Sequence, residues 1–238
     1  MSAYFNMMSV KRFIVIILLN ILGITIFCSW YLPENGGFWF PLDSTIFYWF
    51  NDRMVTSKPL LWFIALTNYR AFDAVSLLAM GGLYYSYWYH SDSRGRRRMF
   101  AIGITLLLTA VILNQLAHQL PGDHPSPTQF FPNVNHAAEL TGLAVKDASA
   151  NSFPGDHGMM LIIFAGFMWR YFGLRAFVIA LAIFLIFISP RIMIGAHWLS
   201  DITVGSLSIT LVGLSWWLMT PGSDWLVYWI DRYLPDFF

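Results

Sequence analysis

Charged side chains are scarce in this sequence: Asp, Glu, Lys and Arg make up 11% of the 238 residues, against about a quarter in a typical soluble protein. Hydrophobic residues make up 57%. With so few charges, the chain could not cover the surface of a water-soluble globule while hiding so much apolar side chain. The composition therefore excludes an ordinary soluble domain and predicts a single integral membrane domain over residues 1–238, with the bilayer as its solvent.

Cysteine pairs and an excess of one charge are also missing. The one cysteine, Cys28, lies inside an apolar run, so no disulfide can form within the chain. The formal net charge is +1, which offers no basic surface to a polyanion, and no nucleic-acid partner is expected. The histidines do not have the spacing of a multi-ligand zinc site, and we predict no metal and no other cofactor.

Long apolar runs are what the sequence has in abundance. Six of them approach the length of about 20 residues with which a helix crosses a bilayer; they are residues 13–31, 72–89, 100–120, 157–171, 176–194 and 202–219. The first run follows Lys11 and Arg12 as a signal peptide would, but it is too long for one and lacks an A-x-A cleavage site. We therefore predict an all-α polytopic membrane protein with six transmembrane helices, the first of them an uncleaved span.

The segments between these runs indicate the orientation in the membrane. Residues 38–49 and 225–233 mix aromatic side chains with scattered charge, which is typical of helices lying at the lipid headgroups. Residues 59–67 predict either an outer turn of the second span or a further interfacial piece. The arginine-rich residues 94–98 mark the loop between the second and third spans as cytoplasmic. With six spans, both termini are then cytoplasmic, and the long loop 121–156 faces the other side.

The outward-facing end of the last two spans combines a histidine, a carboxylate and an arginine. Asp201 follows His197 by four residues, one helical turn, so we expect both side chains on one face. A carboxylate bonded to one imidazole nitrogen would fix the tautomer and leave the other nitrogen free to attack. Arg191, six residues before His197, has the planar guanidinium that grips a phosphate with two hydrogen bonds. Because Asp201 and Arg191 lie nearby, a purely structural role for His197 is the less favoured interpretation.

A second polar group immediately precedes the fourth span. Pro154 and Gly155 break the preceding structure, so the backbone amides that follow should open a helix whose N-terminus attracts anions. His157 lies where an acid would protonate a leaving oxygen. Asp156 has two interpretations, a functional group beside the site or the N-cap of the helix. His124 begins a third outward-facing group.

These groups resemble the motifs of the type-2 phosphatidic acid phosphatase superfamily, which usually read Lys-x6-Arg-Pro, Pro-Ser-Gly-His and Ser-Arg-x5-His-x3-Asp. The third motif is matched at Arg191, His197 and Asp201. The second is altered to Pro-Gly-Asp-His at residues 154–157. In that alteration one hydroxyl donor to phosphate is lost and a carboxylate is placed beside the site.

The first motif is the weakest match. His124 stands where the superfamily has arginine, and Ala117 stands where it has lysine. Lys146, Arg70 or His124 itself are candidates for the missing phosphate ligand. Lys146 and His124 also have the plainer interpretation of ordinary loop residues, and Arg70 that of a local pair with Asp73 at the membrane edge.

Within the superfamily, residues 18–39, 66–73, 152–160 and 190–201 resemble the branch that works at the periplasmic face of the Gram-negative inner membrane. Members of that branch transfer a phosphoryl group from undecaprenyl diphosphate to the 1-phosphate of lipid A. The resemblance therefore implies a bacterial inner-membrane enzyme whose partners are these two lipid substrates and the membrane itself.

For that reaction the resemblance also implies roles for individual residues. His197 would attack the terminal phosphorus and become phosphohistidine, and Asp201 would orient it. His157 would protonate the departing undecaprenyl phosphate and then deprotonate the acceptor. The resemblance and the helix-terminus argument together give five candidates for holding the phosphoryl oxygens: Arg191, Gly155, Asp156, His124 and Lys146.

Two other functions stay open. A hydrolase would form the same phosphohistidine and pass the phosphoryl group to water, acting on undecaprenyl diphosphate or another lipid phosphate. A non-enzymatic membrane scaffold would need neither histidine. The remaining histidines are interpreted as structural or solvated: His90, His118 and His136.

Overall fold

The computed structural model describes residues 9–120 and 124–235, most of which are helical. Eleven α-helices occur in these parts of the chain: α1 (Val10–Tyr31), α2 (Trp39–Thr56), α3 (Lys58–Thr67), α4 (Phe72–Tyr89), α5 (Ser93–Ala117), α6 (Pro127–Phe130), α7 (Ala137–Thr141), α8 (Asp156–Phe172), α9 (Leu174–Met193), α10 (Leu207–Met219) and α11 (Gly222–Tyr233). A short 3-10 turn follows α1, and a π-helical turn, Asp201–Ser206, leads into α10. β pairing within the described ranges is limited to one isolated bridge between Tyr69 and Val145. The all-α prediction is confirmed.

Each of the six predicted spans corresponds to a helix. Four segments are long and apolar enough to cross a membrane: Val10–Tyr31, Ser93–Ala117, Leu174–Met193 and Asp201–Met219. The helices α4 and α8 have 18 and 17 residues, and neither combines length and hydropathy as the other four do. In α8 the polar residues at both ends, among them His157 and Arg170, shorten the apolar stretch. The count of six spans therefore stays a prediction.

Several boundaries differ from the prediction for reasons of local capping. The arginine-rich residues 94–98 belong to α5 and not to a loop, because the Asp92 carboxylate accepts the Gly95 N–H at 2.8 Å and caps the helix seven residues before its apolar run begins. Residues 59–67 form the separate helix α3. The two predicted interfacial segments are parts of the longer helices α2 and α11.

The packing centres on α8, which lies against α5, α9 and α10. Ile163, Phe167 and Met168 on α8 are fully buried. The helix α1 joins the bundle through a close approach to α10, where a Cβ on Gly23 would lie 2.9 Å from the Ser208 carbonyl oxygen. Many large apolar side chains on α1, α4, α5 and α9 remain exposed, as expected for surfaces in contact with lipid.

The end of α9 and the turn that follows it are covered by α2, α3 and the loop that follows α5. The buried Asn68 donates to the Pro190 carbonyl oxygen at 2.9 Å, which fixes the α3–α4 turn to the end of α9. Asn51 of α2 donates to the Asn135 carbonyl oxygen at 2.8 Å. These bonds hold segments that are distant in sequence over the place where the three motifs meet.

Candidate active site

His197 and Asp201 are in contact, as the spacing predicts, but not on a regular helix. His197 lies in the turn after α9, and Asp201 is the first residue of the π-helical turn. The fully buried Asp201 carboxylate reaches back to the Trp198 N–H at 2.9 Å, as an acidic side chain in the first turn does in a capping box. The same Oδ2 lies 3.3 Å from His197 Nδ1.

The ring of His197 has a defined tautomer. Its Nδ1 lies 3.3 Å from Asp201 Oδ2 and 3.0 Å from the Ser152 carbonyl oxygen. A carbonyl oxygen can only accept a hydrogen bond, so Nδ1 carries the proton. In the neutral ring Nε2 therefore holds a lone pair, the requirement for a nucleophile.

Ser152 connects this histidine to the start of the long loop. It is buried, and both its N–H and its hydroxyl donate to the His124 carbonyl oxygen, at 2.8 and 2.9 Å. A third link is the indole N–H of Trp198, which donates to the Pro125 carbonyl oxygen at 2.8 Å. Residues from all three motif regions are thus bonded into one frame.

His124, a predicted phosphate ligand, lies on the other oxygen of Asp201. Its Nδ1 is 3.1 Å from Asp201 Oδ1. Its ring is surrounded by aromatic rings, with centroid distances of 5.2 Å to Trp30, 5.6 Å to Trp198 and 6.2 Å to Phe153. The Asp201 carboxylate is therefore shared by two histidines.

Arg191, His157 and Lys146 converge on a carboxylate that the sequence interpretation placed elsewhere. Asp73, in the first turn of α4, accepts from Arg191 Nη2 in a short ion pair and from Lys146 Nζ at 3.2 Å. His157 Nε2 lies 3.7 Å from Asp73 Oδ1. The interpretation of Asp73 as a local partner of Arg70 was wrong, because the turn that ends α3 directs its carboxylate toward α9 and the loop.

The position of Arg191 also fixes the turn that carries His197. Arg191 is 5% exposed, and its carbonyl oxygen accepts the N–H groups of Ala196 and His197 at 3.1 and 3.2 Å. Gly195, between Arg191 and Ala196, has φ +82°, and a Cβ at this position would be 2.5 Å from the ring of Phe47. Only glycine fits this turn without displacing its neighbours.

The altered second motif opens α8 as predicted, although the cap differs. The N-cap is Gly155, with φ +81° and no side-chain hydrogen bond, so Asp156 is the first helical residue and not the N-cap. Asp156 pairs with His118 Nε2 at 3.1 Å, a contact compatible with the prediction of a structural role for His118. Ser206 donates to the carbonyl oxygens of Pro154 and Gly155 at 2.8 and 2.7 Å, and this bond joins the second motif to the π-helical turn.

A cavity of about 340 Å³ lies beside His157 between α5 and α8. Its lining is mostly apolar, with Asp156 and His157 at one end and Leu107, Val111 and Met160 among its walls. The geometry therefore combines an imidazole nitrogen with a free lone pair, a group of basic side chains and an apolar cavity beside them. Among the residues that the structure describes, no cluster of three or more His, Cys, Asp or Glu side chains is placed to hold a metal ion.

Comparison with known proteins agrees with this arrangement. Residues 113–225 match the profile of the PAP2 superfamily. Over 227 residues the chain is 55% identical to "Lipid A 1-diphosphate synthase" of Escherichia coli (strain K12), a match that covers 95% of this chain and 96% of that protein. The chain belongs to the PAP2 superfamily.

A second relative is more distant. "Putative undecaprenyl-diphosphatase YbjG" of Escherichia coli (strain K12) is 25% identical over 150 residues, which are 62% of this chain and 68% of that protein. No solved structure matches the chain. Membership of the PAP2 superfamily makes this protein an enzyme of a phosphatase and phosphotransferase family, and its apolar helices associate it with the membrane.

Three residues near the PAP2 motifs were missed by the sequence interpretation. Ser152 was included only as the start of a motif, and Asp73 only as a partner of Arg70. The third is Asp43 of α2, which is buried and accepts from the Ser200 N–H at 3.0 Å and the Ser200 hydroxyl at 2.5 Å. Burial, with a smaller contribution from the Asp201 charge, raises the pKa of Asp43 from 3.8 to about 6, against the lowering effect of the Ser200 hydrogen bonds.

Proposed function

We propose that this protein transfers a phosphoryl group from undecaprenyl diphosphate to the 1-phosphate of lipid A, giving lipid A 1-diphosphate and undecaprenyl phosphate. The choice of substrates is supported by the 55% identity, over 95% of the chain, to the relative named "Lipid A 1-diphosphate synthase". The observation that carries the chemistry is the position of His197 Nδ1 between two acceptors, because it leaves Nε2 as the nucleophile.

In the first half of the proposed reaction, His197 Nε2 attacks the terminal phosphorus of the donor. The N–P bond forms as the bond from that phosphorus to the bridging oxygen breaks, and the bridging oxygen leaves with undecaprenyl phosphate. His157 donates a proton to the departing oxygen. The buried Asp201 carboxylate stabilises the positive charge that develops on the His197 ring.

In the second half, an oxygen of the lipid A 1-phosphate attacks the phosphorus of phosphohistidine. The N–P bond breaks, the new P–O bond gives the diphosphate, and His157 takes up the proton lost by the acceptor. Arg191 and Lys146 supply positive charge to the phosphoryl oxygens, and the first-turn amides of α8, opened by Gly155 and Asp156, supply hydrogen-bond donors. Removing one such donor typically costs about 10²–10³ in rate.

In this scheme His124 acts indirectly, through its contact with Asp201. Its Nδ1 is engaged by the Asp201 carboxylate, so its contribution is to hold that carboxylate toward His197. We therefore assign it a positioning role in place of the phosphate contact that its place in the first motif predicts.

We further infer that the site faces the periplasm from a bacterial inner membrane, with both termini cytoplasmic. The arginine-rich turns begin α5, and His118, the partner of Asp156, follows its last turn. With 25 residues, α5 is about 37 Å long, so the arginines and the site are separated by roughly the thickness of a membrane. Arginine-rich ends face the cytoplasm, and the C-terminal helix α11 is bonded to that end through Arg97.

Incubation of the purified protein with undecaprenyl diphosphate labelled in its terminal phosphate, with and without lipid A, tests the reaction. Labelled lipid A diphosphate is the expected product, and His197→Asn is expected to abolish it. Wild-type transfer by His197→Asn would exclude the proposed nucleophile. Hydrolysis is the second candidate, favoured by the 25% identity to the diphosphatase relative; release of labelled phosphate that lipid A does not diminish would establish it. A protein that neither transfers nor releases the label would be a scaffold.

A further inference from the structure

The Asp73 carboxylate lies where the proposed reaction needs the substrate phosphate. Its Oδ1 contacts Arg191 and its Oδ2 contacts Lys146, the two cations proposed as phosphate ligands. His157 Nε2, the proposed acid, is 3.7 Å from Oδ1. A carboxylate with two oxygens bound by an arginine and a lysine occupies the same kind of site as a phosphoryl group.

The segment that presents Asp73 is firmly held in place. Asn68 is fully buried, and its side-chain amide donates to the Pro190 carbonyl oxygen at 2.9 Å. The backbone carbonyl oxygen of Asn68 accepts the Lys146 N–H at 3.3 Å. The next residue, Tyr69, forms the isolated bridge to Val145. The turn is thus bonded both to the residue before Arg191 and to Lys146, so Asp73 meets its partners as part of the fold.

The charges around Asp73 determine what a second anion would meet. Arg191 is 6% exposed at its side chain, whereas Asp73 and Lys146 are 31% and 48% exposed. A phosphate that approached these cations with Asp73 in place would have a like charge at ion-pair distance. Repulsion of that kind weakens binding, and it is greatest where one of the groups is buried.

We propose that Asp73 is an internal anion whose carboxylate fills the phosphate site of the substrate-free enzyme. The substrate displaces the side chain while the backbone turn stays in place, a role that rests on the proposed function of Arg191 and Lys146 as phosphate ligands. The competition favours ligands with more negative charge than a carboxylate. The terminal phosphate of a lipid diphosphate meets that condition, and a singly charged phosphodiester headgroup does not. Asp73 thereby keeps the abundant phospholipids of the membrane out of the site.

Binding of inorganic phosphate to the full-length protein in detergent, measured by titration calorimetry, tests this role without any acceptor lipid. Asp73→Asn and Asp73→Ala should bind phosphate about tenfold more tightly than wild type, because the competing charge is gone. Dimethyl phosphate, a singly charged diester, should gain at least as much. Asp224→Asn is the matched control, since Asp224 forms an ion pair with Arg170 away from the site and its loss should leave phosphate affinity unchanged.

Each result separates the two ideas. Equal or weaker phosphate binding by both Asp73 variants, with melting temperatures near wild type, would overturn the internal-anion role and make Asp73 a positioning residue. Failure of the Asp73 variants to bind phosphate at all would overturn it as well. Arg191→Gln is expected to lose phosphate binding; if it binds as wild type does, the phosphate site of the proposed function is itself wrong. Wild-type protein that binds phosphate but transfers no label to lipid A would refute the proposed transfer reaction and leave the internal-anion role of Asp73 standing.

Discussion

His197 donates its Nδ1 proton toward the carbonyl oxygen of Ser152, at 3.0 Å, from a residue 45 positions earlier in the chain. This bond and the one to Asp201 hold the ring in the same tautomer, so two independent acceptors leave Nε2, the proposed nucleophile, with its lone pair. Because the backbone supplies one of them, no single side-chain substitution removes both.

The role of His124 can be separated from phosphate binding by two substitutions. Asparagine places an amide N–H near the position of the imidazole Nδ1, so His124→Asn should retain most of the transfer rate. His124→Phe fits the aromatic surroundings but leaves Asp201 without that donor. A hydrogen bond to a charged group contributes about 1.5–3 kcal/mol, so its kcat should fall about tenfold to 100-fold with KM nearly unchanged. Steady-state kinetics across pH measure both variants, and a large rise of KM in His124→Asn would restore the phosphate-ligand role.

Gly195→Ala should destabilise the protein by about 3 kcal/mol or more, because a left-handed backbone and a clash with Phe47 act together. Gly142→Ala is the matched control. Gly142 has φ +70° and nothing within 4 Å of its Cβ position, so only the backbone cost of about 1–2 kcal/mol applies. Unfolding in detergent compares the two free energies, and equal losses would show that the Phe47 contact is relieved without cost.

Asp43 should make stability depend on pH. Its pKa is about 6 in the folded protein against 3.8 ordinarily, so the folded state binds the proton more tightly. This contribution to stability is fully present below about pH 3.8 and is lost as the pH rises to about 6. In Asp43→Asn that loss disappears. Between pH 4 and 7 the free energy of unfolding of the wild type should therefore fall by up to about 3 kcal/mol relative to the variant. Thermal unfolding of both proteins measures this difference, and parallel pH profiles would contradict the prediction.

Asp156→Asn should change the transfer rate less than about threefold. Asp156 and His118 are 48% and 36% exposed at their side chains. An ion pair so exposed to solvent contributes about 1 kcal/mol or less to stability. The first-turn amide of residue 156 is kept by the substitution. The rate of labelled lipid A diphosphate formation measures the effect, with His118→Asn as the companion variant. A loss of 100-fold or more would place this carboxylate in the catalytic machinery.

The parts of the site that sequence predicts are those in which local spacing decides the contact. His197 and Asp201 are four residues apart, and Gly155 and His157 flank the start of one helix. The apolar runs likewise predict the helices, because length and hydropathy are properties of a continuous segment. Even there, the capping carboxylate of Asp92 extends α5 beyond what hydropathy detects.

Contacts between distant segments were not predictable from one sequence. Asp73 and Arg191 are 118 residues apart, and Asp43 and Ser200 are 157 apart. A carboxylate at the start of an apolar run has an ordinary explanation as a group favoured at a helix N-terminus. The one available signal for Asp73 was an ionisable side chain at the start of a predicted span, and it does not identify the partner.

The bonds from Ser206 to Pro154 and Gly155, together with the one from His197 to Ser152, place both halves of the proposed reaction on one rigid frame. With His197 and His157 unable to move apart, the phosphoryl group stays where it is captured while the lipids exchange around it. Donor and acceptor would then bind at the same site in turn, as in a ping-pong mechanism. At low acceptor concentrations double-reciprocal plots of the initial rates would be parallel. At high concentrations the acceptor would inhibit by occupying that site before the donor, and the slopes against donor would rise.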